Sequence, residues 1–363
     1  MGLQSTAINR ADLYKQIYSF RNLELAYRKA RKGKRNKRSV REFGFNLEQN
    51  LLQLKQELET LSYKPMPLRQ FVIRDPKTRL ISASHFRDRV VHHALCNIIQ
   101  PILEKTFIYD SHASQVDKGT SRAIERFDIF KRRLSKNGRQ VNNTKHGNMV
   151  IGYVLKADIK HFFDSVDHEV LIGILRRKIK DENTLILIKK ILENHKTNQK
   201  GKGMPLGNLT SQFFANVYLN ELDYFVKHDL KIKYYIRYVD DFVLFGRSKE
   251  PLECLKIKLQ EFLQKLKLEL HQGKSKIRPL HKGICFLGFR IFYNYKLMKK
   301  GSIRKMEGKI QQMQFQYSKG EISFEDLVNS LVSFIGYTKQ ANTYKLRKKL
   351  LGLQNHPLFP QPF

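Results

Sequence analysis

The chain has 363 residues, of which 68 are Lys or Arg and 33 are Asp or Glu, giving a formal charge of +35; it contains no Trp. Such an excess repels itself unless a polyanion is near, so nucleic acid is the natural partner and binding should weaken steeply with salt. A basic membrane-surface protein is disfavoured, because there is no long apolar run and no tryptophan-bearing amphipathic anchor. Cys96, Cys254 and Cys285 are far apart and form no C-x-x-C pair, which suggests buried free thiols in a reducing compartment. The N-terminus lacks an apolar signal core, so the chain reads as cytoplasmic.

In chain order, residues 10–30 have helical spacing in Leu13, Ile17, Phe20 and Leu23. The pattern then runs into residues 28–38, where Arg31, Lys32, Lys34, Arg35, Lys37 and Arg38 read as a phosphate-binding arm. Residues 43–61 return to helical period with Asn46 as a plausible N-cap. Pro65 and Pro67 end that region, and residues 71–84 read as two strands around an Asp75-Pro76-Lys77-Thr78 turn. Residues 86–102 read as a helix with an apolar face. His92 and His93 are adjacent and point to different faces, so solvated or core histidine is expected there. Gly119-Thr120-Ser121 opens a further helix, suited either to ordinary capping or to a phosphate. Residues 135–148 are polar and rich in Gly and Asn, which predicts a loop.

Residues 150–159 predict a strand ending at Asp158. Further on, residues 232–247 predict a hairpin: two β-branched and aromatic runs flank Asp240 and Asp241, placed at the turn. Turn chemistry alone could explain two aspartates there. A carboxylate at a strand end facing carboxylates on a hairpin is also how hard cations are held, since magnesium binds through one or two carboxylates plus substrate phosphates. Two such ions about 4 Å apart serve phosphoryl transfer. Asp158 and Asp240 are the ligand candidates, with Asp241 as a third carboxylate. Asp164 and Asp167 read as N-cap and first-turn acid of one helix over residues 164–175. Of Phe162 and Phe163, one must face the core and the other could face the site, the alternative being that both pack inward. Residues 201–216 carry glycines that permit close backbone approach to a ligand, followed by a helix. Residues 268–275 lack the first glycine of a phosphate-binding P-loop. Residues 285–292 predict an edge hairpin with Gly288 at its turn, and residues 303–317 and 324–351 are basic helical patterns separated by Gly320.

Tyr238-Val239-Asp240-Asp241, preceded by Ala157-Asp158-Ile159-x-x-Phe162-Phe163-Asp164, resembles the palm of reverse transcriptases, above all the group II intron and bacterial retroelement branch. Residues 86–95 and 107–127 resemble two fingers blocks of that family, and the likeness extends over about residues 60–297. It implies an α+β right-hand polymerase with fingers, a palm on an antiparallel sheet and a short helical thumb. The expected division is a basic helical extension at 1–62, fingers at 63–149, palm at 150–297 and thumb at 298–363. It further implies a reverse transcriptase using two magnesium ions on Asp158, Ile159, Asp240 and Asp241, with deoxynucleoside triphosphates as substrates. Arg74, Lys77 and Arg79 fall in the stretch that covers the incoming triphosphate, where cations neutralise developing charge. By the same resemblance Phe163 is the steric gate against a ribose 2′-hydroxyl, Lys274 lies near the pyrophosphate, and Gly288 belongs to the primer grip.

Where the family has Gln-Gly-x-x-x-Ser-Pro, this chain has Leu206-Gly207-x-x-x-Ser211-Gln212. That departure is the form found in diversity-generating retroelements, which copy a template RNA with errors at adenines. Loss of the amide should loosen nucleotide discrimination. The assignment implies a template-region RNA, a cDNA primer and a small, basic, oligomeric accessory variability protein, in a bacterial or phage-encoded setting. A group II intron-type enzyme of ordinary fidelity is the nearest alternative, against which the reading sets the two departures and the lack of maturase-like, endonuclease or zinc-ribbon patterns after Lys299. A non-catalytic RNA-binding protein of the same fold would also explain the charge.

Overall fold

The computed structural model describes residues 12–74, 78–143, 147–195, 197 and 199–350. They fall into two compact units, the first drawn from residues up to 117, 158–242 and 257–272, and the second from 118–157, 243–256 and 273 onward.

The first unit begins with α1 (Leu13–Tyr18), α2 (Phe20–Arg31), α3 (Arg38–Phe45) and α4 (Leu47–Glu59). The single helix expected over residues 10–30 is interrupted at Ser19, whose side chain accepts from the Asn22 amide and caps α2. That break resets the helical phase. Leu13, Ile17 and Leu23 are buried, whereas Phe20 is left 38% exposed rather than in the core. The expected helix over residues 43–61 is likewise two helices. Asn46 does hold the N-cap position of α4, but its side chain makes no capping bond.

β1 (Arg69–Ile73) and β2 (Arg79–Ala83) form the expected hairpin, antiparallel with Ile73 opposite Arg79. Its turn, including Lys77, lies outside the described residues. α5 (Phe86–Leu103) buries Val90, Val91, Leu95, Cys96 and Ile99; of the three thiols expected to be buried, only Cys96 is, and Cys254 and Cys285 are exposed. Asp88 is buried on the same helix and fixes the chain before β1, accepting from the Tyr63 hydroxyl at 2.8 Å and the Met66 amide at 3.0 Å.

In the second unit, α6 (Thr120–Leu134) starts as expected after Gly119, whose φ of +117° favours glycine. Residues 135–148, expected to be a loop, instead contain β3 (Gln140–Asn143) and β4 (Gly147–Val150), paired antiparallel with Gln140 opposite Val150. A backbone ladder pairs whatever the side chains are, so composition alone hid it. β5 (Tyr153–Asp158) then carries the chain back into the first unit.

There, α7 (Phe162–Ser165), α8 (His168–Arg176), α9 (Glu182–Glu193) and α10 (Leu209–Tyr224) follow. The predicted helix over residues 164–175 is broken at Val166. Asp164 therefore sits inside α7, and Asp167 is the N-cap of α8, accepting from the Val170 amide at 3.0 Å. Burial pushes the Asp167 carboxyl upward, but the Lys267 ammonium at 2.6 Å and the Val170 amide outweigh it and hold it below its ordinary value.

β6 (Tyr235–Tyr238) and β7 (Asp241–Gly246) are followed by α11 (Glu250–Lys265) and β8 (Lys276–Pro279). β5 to β8 form one four-stranded sheet in the order β6-β7-β5-β8, with β8 antiparallel to β5. β9 (Ile284–Phe286), β10 (Phe289–Ile291) and β11 (Lys296–Met298) make an antiparallel sheet, in which the third strand was not expected. α12 (Lys300–Ser318), α13 (Phe324–Thr338) and α14 (Tyr344–Leu350) close the described chain, with Gly320 separating the first two. Among the described residues no helix is long and apolar enough to cross a membrane.

Candidate active site

Asp158 is the last residue of β5, and backbone bonds place its neighbours. Its carbonyl accepts from the His271 amide at 2.8 Å, the Ile159 amide donates to the Asp240 carbonyl at 3.2 Å, and the Lys160 amide donates to the Glu269 carbonyl at 2.8 Å. One backbone hydrogen bond thus ties the residue after Asp158 to Asp240. Asp158, Asp240 and Asp241 are all half-buried. The hairpin turn lies one residue earlier than expected: Val239 and Asp240 form it, while Asp241 already opens β7. Val239 has φ +54°, an uncommon left-handed conformation for a β-branched residue.

A strained turn needs support, and it stands on a buried polar network. Arg237 is fully buried. Its guanidinium donates to both carboxylate oxygens of Asp223 at 2.7 and 2.6 Å, to Asn216 Oδ1 at 3.1 Å, to Ser111 Oγ at 3.1 Å and to the Val239 carbonyl at 3.2 Å. The Tyr235 hydroxyl also donates to Asp223 at 2.8 Å. The backbone on either side is clamped too, since the Arg237 amide donates to the Asp110 carbonyl and the His112 amide to the Arg237 carbonyl, each at 3.0 Å. Burial alone would weaken the Arg237 charge, but Asp223 reverses that and raises its pKa. None of these partners figured in the reading of the sequence. A lone arginine among Tyr235, Ile236 and Tyr238 was the available signal, since a charge inside a buried strand must be paired.

The donor set at the strand ends is carboxylate only, which suits a hard divalent cation. Among the described residues no group of three or more His, Cys, Asp or Glu side chains is arranged to hold a metal. Magnesium needs no such group, because one or two carboxylates and substrate phosphates suffice. Asp158 and Asp240 meet that requirement. The Ile159 side chain is aliphatic and buried, so only its backbone carbonyl could serve.

Phe162 is buried in the core and Phe163 is half-buried. The Phe163 carbonyl accepts from the Met204 amide at 2.7 Å. Met204 and Leu206 help line a cleft of about 540 Å³, together with Gln70, Leu80, Ser82 and His195. The Ser82 amide donates to the Leu206 carbonyl at 3.2 Å. Buried Asn208 clamps the same stretch by accepting from the Ser84 amide and donating to the Ser82 carbonyl, both at 3.1 Å. Gly207 has φ +104°, and a Cβ there would meet Ile81 Cγ2 at 2.9 Å, so glycine is required. Gln212 is exposed on the first turn of α10 and does not line the cleft. Asn208 and His195 were not singled out from the sequence. Burial, with the nearby His168, lowers the His195 pKa against the opposing pull of Asp164.

Arg74 and Arg79 are exposed on the β1–β2 hairpin. The basic run occupies a helix–helix turn: Arg31 ends α2, Arg38 begins α3, and Lys32, Lys34, Arg35 and Lys37 lie between. Arg31 donates to the Tyr27 hydroxyl at 3.2 Å, and Arg38 pairs with Glu42 at 2.6 Å. Burial, then Arg89 and Lys37, lowers the Lys34 pKa. Lys274 and Gly288 belong to the second unit. Leu287 (φ +45°) and Gly288 (φ +91°) form the tight turn between β9 and β10, the conformation that a two-residue hairpin loop demands.

A four-stranded palm-like sheet, an acid-tipped hairpin and a basic fingers-like hairpin define the fold of a right-hand polymerase. The family profile described as reverse transcriptase (RNA-dependent DNA polymerase) matches residues 73–291, and the chain belongs to that family. The group II intron-encoded protein LtrA of Lactococcus lactis subsp. cremoris is 26% identical over 339 residues, covering 74% of this chain and 53% of LtrA. Protein YkfC of Escherichia coli (strain K12) is 26% identical over 278 residues, covering 66% of this chain and 70% of YkfC. The chain thus spans about half the length of LtrA. The solved structure of apo telomerase from Candida tropicalis superposes with a TM-score of 0.52 at 14% identity, over 80% of this chain and 62% of that one. At that identity the likeness is one of fold.

Proposed function

We propose that this chain is an RNA-directed DNA polymerase that makes error-prone, adenine-mutagenic cDNA from the template-region RNA of a diversity-generating retroelement. The observation that carries the polymerase reading is the backbone bond from the Ile159 amide to the Asp240 carbonyl, which brings the Asp158 strand end against the Asp240–Asp241 hairpin. Family membership supports it. The Leu206-Gly207-x-x-x-Ser211-Gln212 block carries the finer assignment. Leu206 faces the cleft with an apolar side chain where an amide would otherwise stand, and polar contacts discriminate more sharply than an apolar wall.

In this reading the primer 3′-oxygen attacks the α-phosphate of a deoxynucleoside triphosphate and pyrophosphate leaves. Asp158, the Ile159 carbonyl, Asp240 and Asp241 would hold two magnesium ions, which when bound activate the attacking oxygen and stabilise the leaving one. The protein's share is positioning. The Arg237 network fixes the hairpin, Gly207 lets backbone approach Ile81 closely, and Phe163, which is half-buried, would collide with a 2′-hydroxyl. Arg74, Lys77 and Arg79 would neutralise the triphosphate, and Gly288 would shape the turn that meets the primer. The basic turn between α2 and α3 would bind template backbone. We assign residues 1–62 to an N-terminal extension, 63–149 to fingers, 150–297 to palm and 298–363 to thumb. A small, basic, oligomeric accessory variability protein would be the partner, in a bacterial cytoplasm.

A second reading, a group II intron-type reverse transcriptase of ordinary fidelity, is favoured by the identity with LtrA. Primer extension on the RNA that co-purifies with the protein, with magnesium and deoxynucleotides, tests both. Errors clustered opposite template adenines and abolished by Asp240→Ala support the retroelement enzyme. Faithful, acid-dependent cDNA supports the intron-type reading.

A further inference from the structure

α10 packs against both α5 and α8 within the first unit, and a cleft of about 280 Å³ opens beside them. Val217, Asn220, Glu221 and Tyr224 line it from one face of α10, at the spacing that brings side chains one turn apart together. Leu103 and Val217 are buried and give it an apolar lining, and Phe107 and Tyr224 add aromatic rings. None of Asp158, Asp240 and Asp241 takes part in it.

Asn220 sets the chemistry of this cleft. The residue is only 7% exposed, and its amide nitrogen makes one long bond, donating to Thr106 Oγ1 at 3.4 Å. Its carbonyl oxygen Oδ1 is buried with no hydrogen-bond partner. A buried acceptor left unmade costs free energy until a donor reaches it. Two cations follow α8 at the rim. Arg177 is held by Glu221 at 2.6 Å, whereas no described acidic side chain pairs with exposed Lys178.

We propose that this cleft binds a free adenine mononucleotide. Adenine presents its exocyclic amine, a donor, beside a ring-nitrogen acceptor, and an asparagine amide matches that pair. Oδ1 accepts from the amine, and Nδ2 exchanges its long bond to Thr106 for the ring nitrogen. The base lies against the aromatic rings, and Lys178 meets the phosphate. Guanine carries an oxygen where adenine carries the amine, so in the same pose it sets acceptor against acceptor. The cleft sits just below the range of drug-sized sites, which suits one nucleotide and not a strand.

The test is calorimetric titration of the full chain with 5′-AMP, which lacks the triphosphate that polymerisation consumes. Wild type should bind AMP with a Kd below about 1 mM, and at least about ten-fold more tightly than 5′-GMP. Asn220→Leu, close in shape, should weaken AMP binding at least about ten-fold. Its melting temperature should stay level or rise, because an unmade acceptor is removed. Lys178→Gln, a surface change that keeps the test open should Asn220→Leu not fold, should weaken AMP about two- to five-fold and leave adenosine unaffected. No AMP binding, equal GMP binding, or wild-type affinity in either folded variant overturns the proposal. Loss of AMP binding in Asp240→Ala also overturns it, by placing the nucleotide at the polymerase site. The polymerase reading stands apart from each of these outcomes, since primer extension alone decides it.

Discussion

The protein builds two short antiparallel hairpins whose environments are opposite. In β6–β7, Tyr235, Ile236, Arg237 and Phe242 to Leu244 are wholly buried. In β1–β2, every β1 residue is exposed, and Phe71, Val72 and Leu80 show 48, 53 and 52% of their surface. The first hairpin can therefore hold Val239 in a left-handed conformation and present carboxylates at fixed positions, because the Arg237–Asp223 network over-determines its backbone. The second rests mainly on its ladder and presents cations from an open surface. Fixed acids and open cations suit metal binding and phosphate capture respectively.

Breaking the first hairpin should have the largest consequences. Asp240→Ala should reduce primer extension by about a thousand-fold or more, equivalent to about 4 kcal/mol of barrier, with little change in melting temperature because the residue is half-buried. Arg237→Met should destabilise the fold by about 3–5 kcal/mol in urea titration, since Asp223 is left charged in a dry site. Pairing it with Asp223→Leu should recover most of that loss. A cost under 1 kcal/mol for the single change would refute the over-determined turn.

Smaller effects sharpen the contrast at the base of the exposed hairpin. Gly207→Ala should cost about 2 kcal/mol, because its φ of +104° and the 2.9 Å approach to Ile81 both oppose a Cβ. On α5, burial, with His93 and Arg89, pushes the His92 pKa from 6.5 to about 3, so the native state keeps it neutral while the unfolded chain protonates. Its contribution is present above pH 6.5 and is lost as pH falls toward 3. Acidification from pH 7 to 5 should remove about 2 kcal/mol through this residue, and His92→Gln should flatten that part of the pH–stability curve. Val72→Ser on the exposed hairpin should change stability by under about 0.5 kcal/mol, whereas a comparable loss at Ile236 would cost several-fold more.

Much of this architecture was readable in the chain because local chemistry carried it. Alternating apolar residues set both hairpins, Gly288 marked its turn, and Asp158 marked a strand end. Other readings failed where a single residue reset local geometry: Ser19 and Val166 each broke a predicted helix, leaving Phe20 outside the core and Asp164 inside α7 rather than at its cap. The β3–β4 ladder was invisible in a polar composition, since backbone pairing leaves little trace in side-chain type.

The sequence by itself determined the acids, the basic β1–β2 hairpin, the departures at Leu206 and Gln212 and the charge that calls for nucleic acid, because each is a matter of residue type at short spacing. Only the tertiary structure decided which groups support them. Arg237 meets Asp223 across 14 residues and Ser111 across 126, and Asn208 reaches Ser84 across 124. Pairing over such distances follows from how buried surfaces close and polar groups find partners, and no local pattern encodes it.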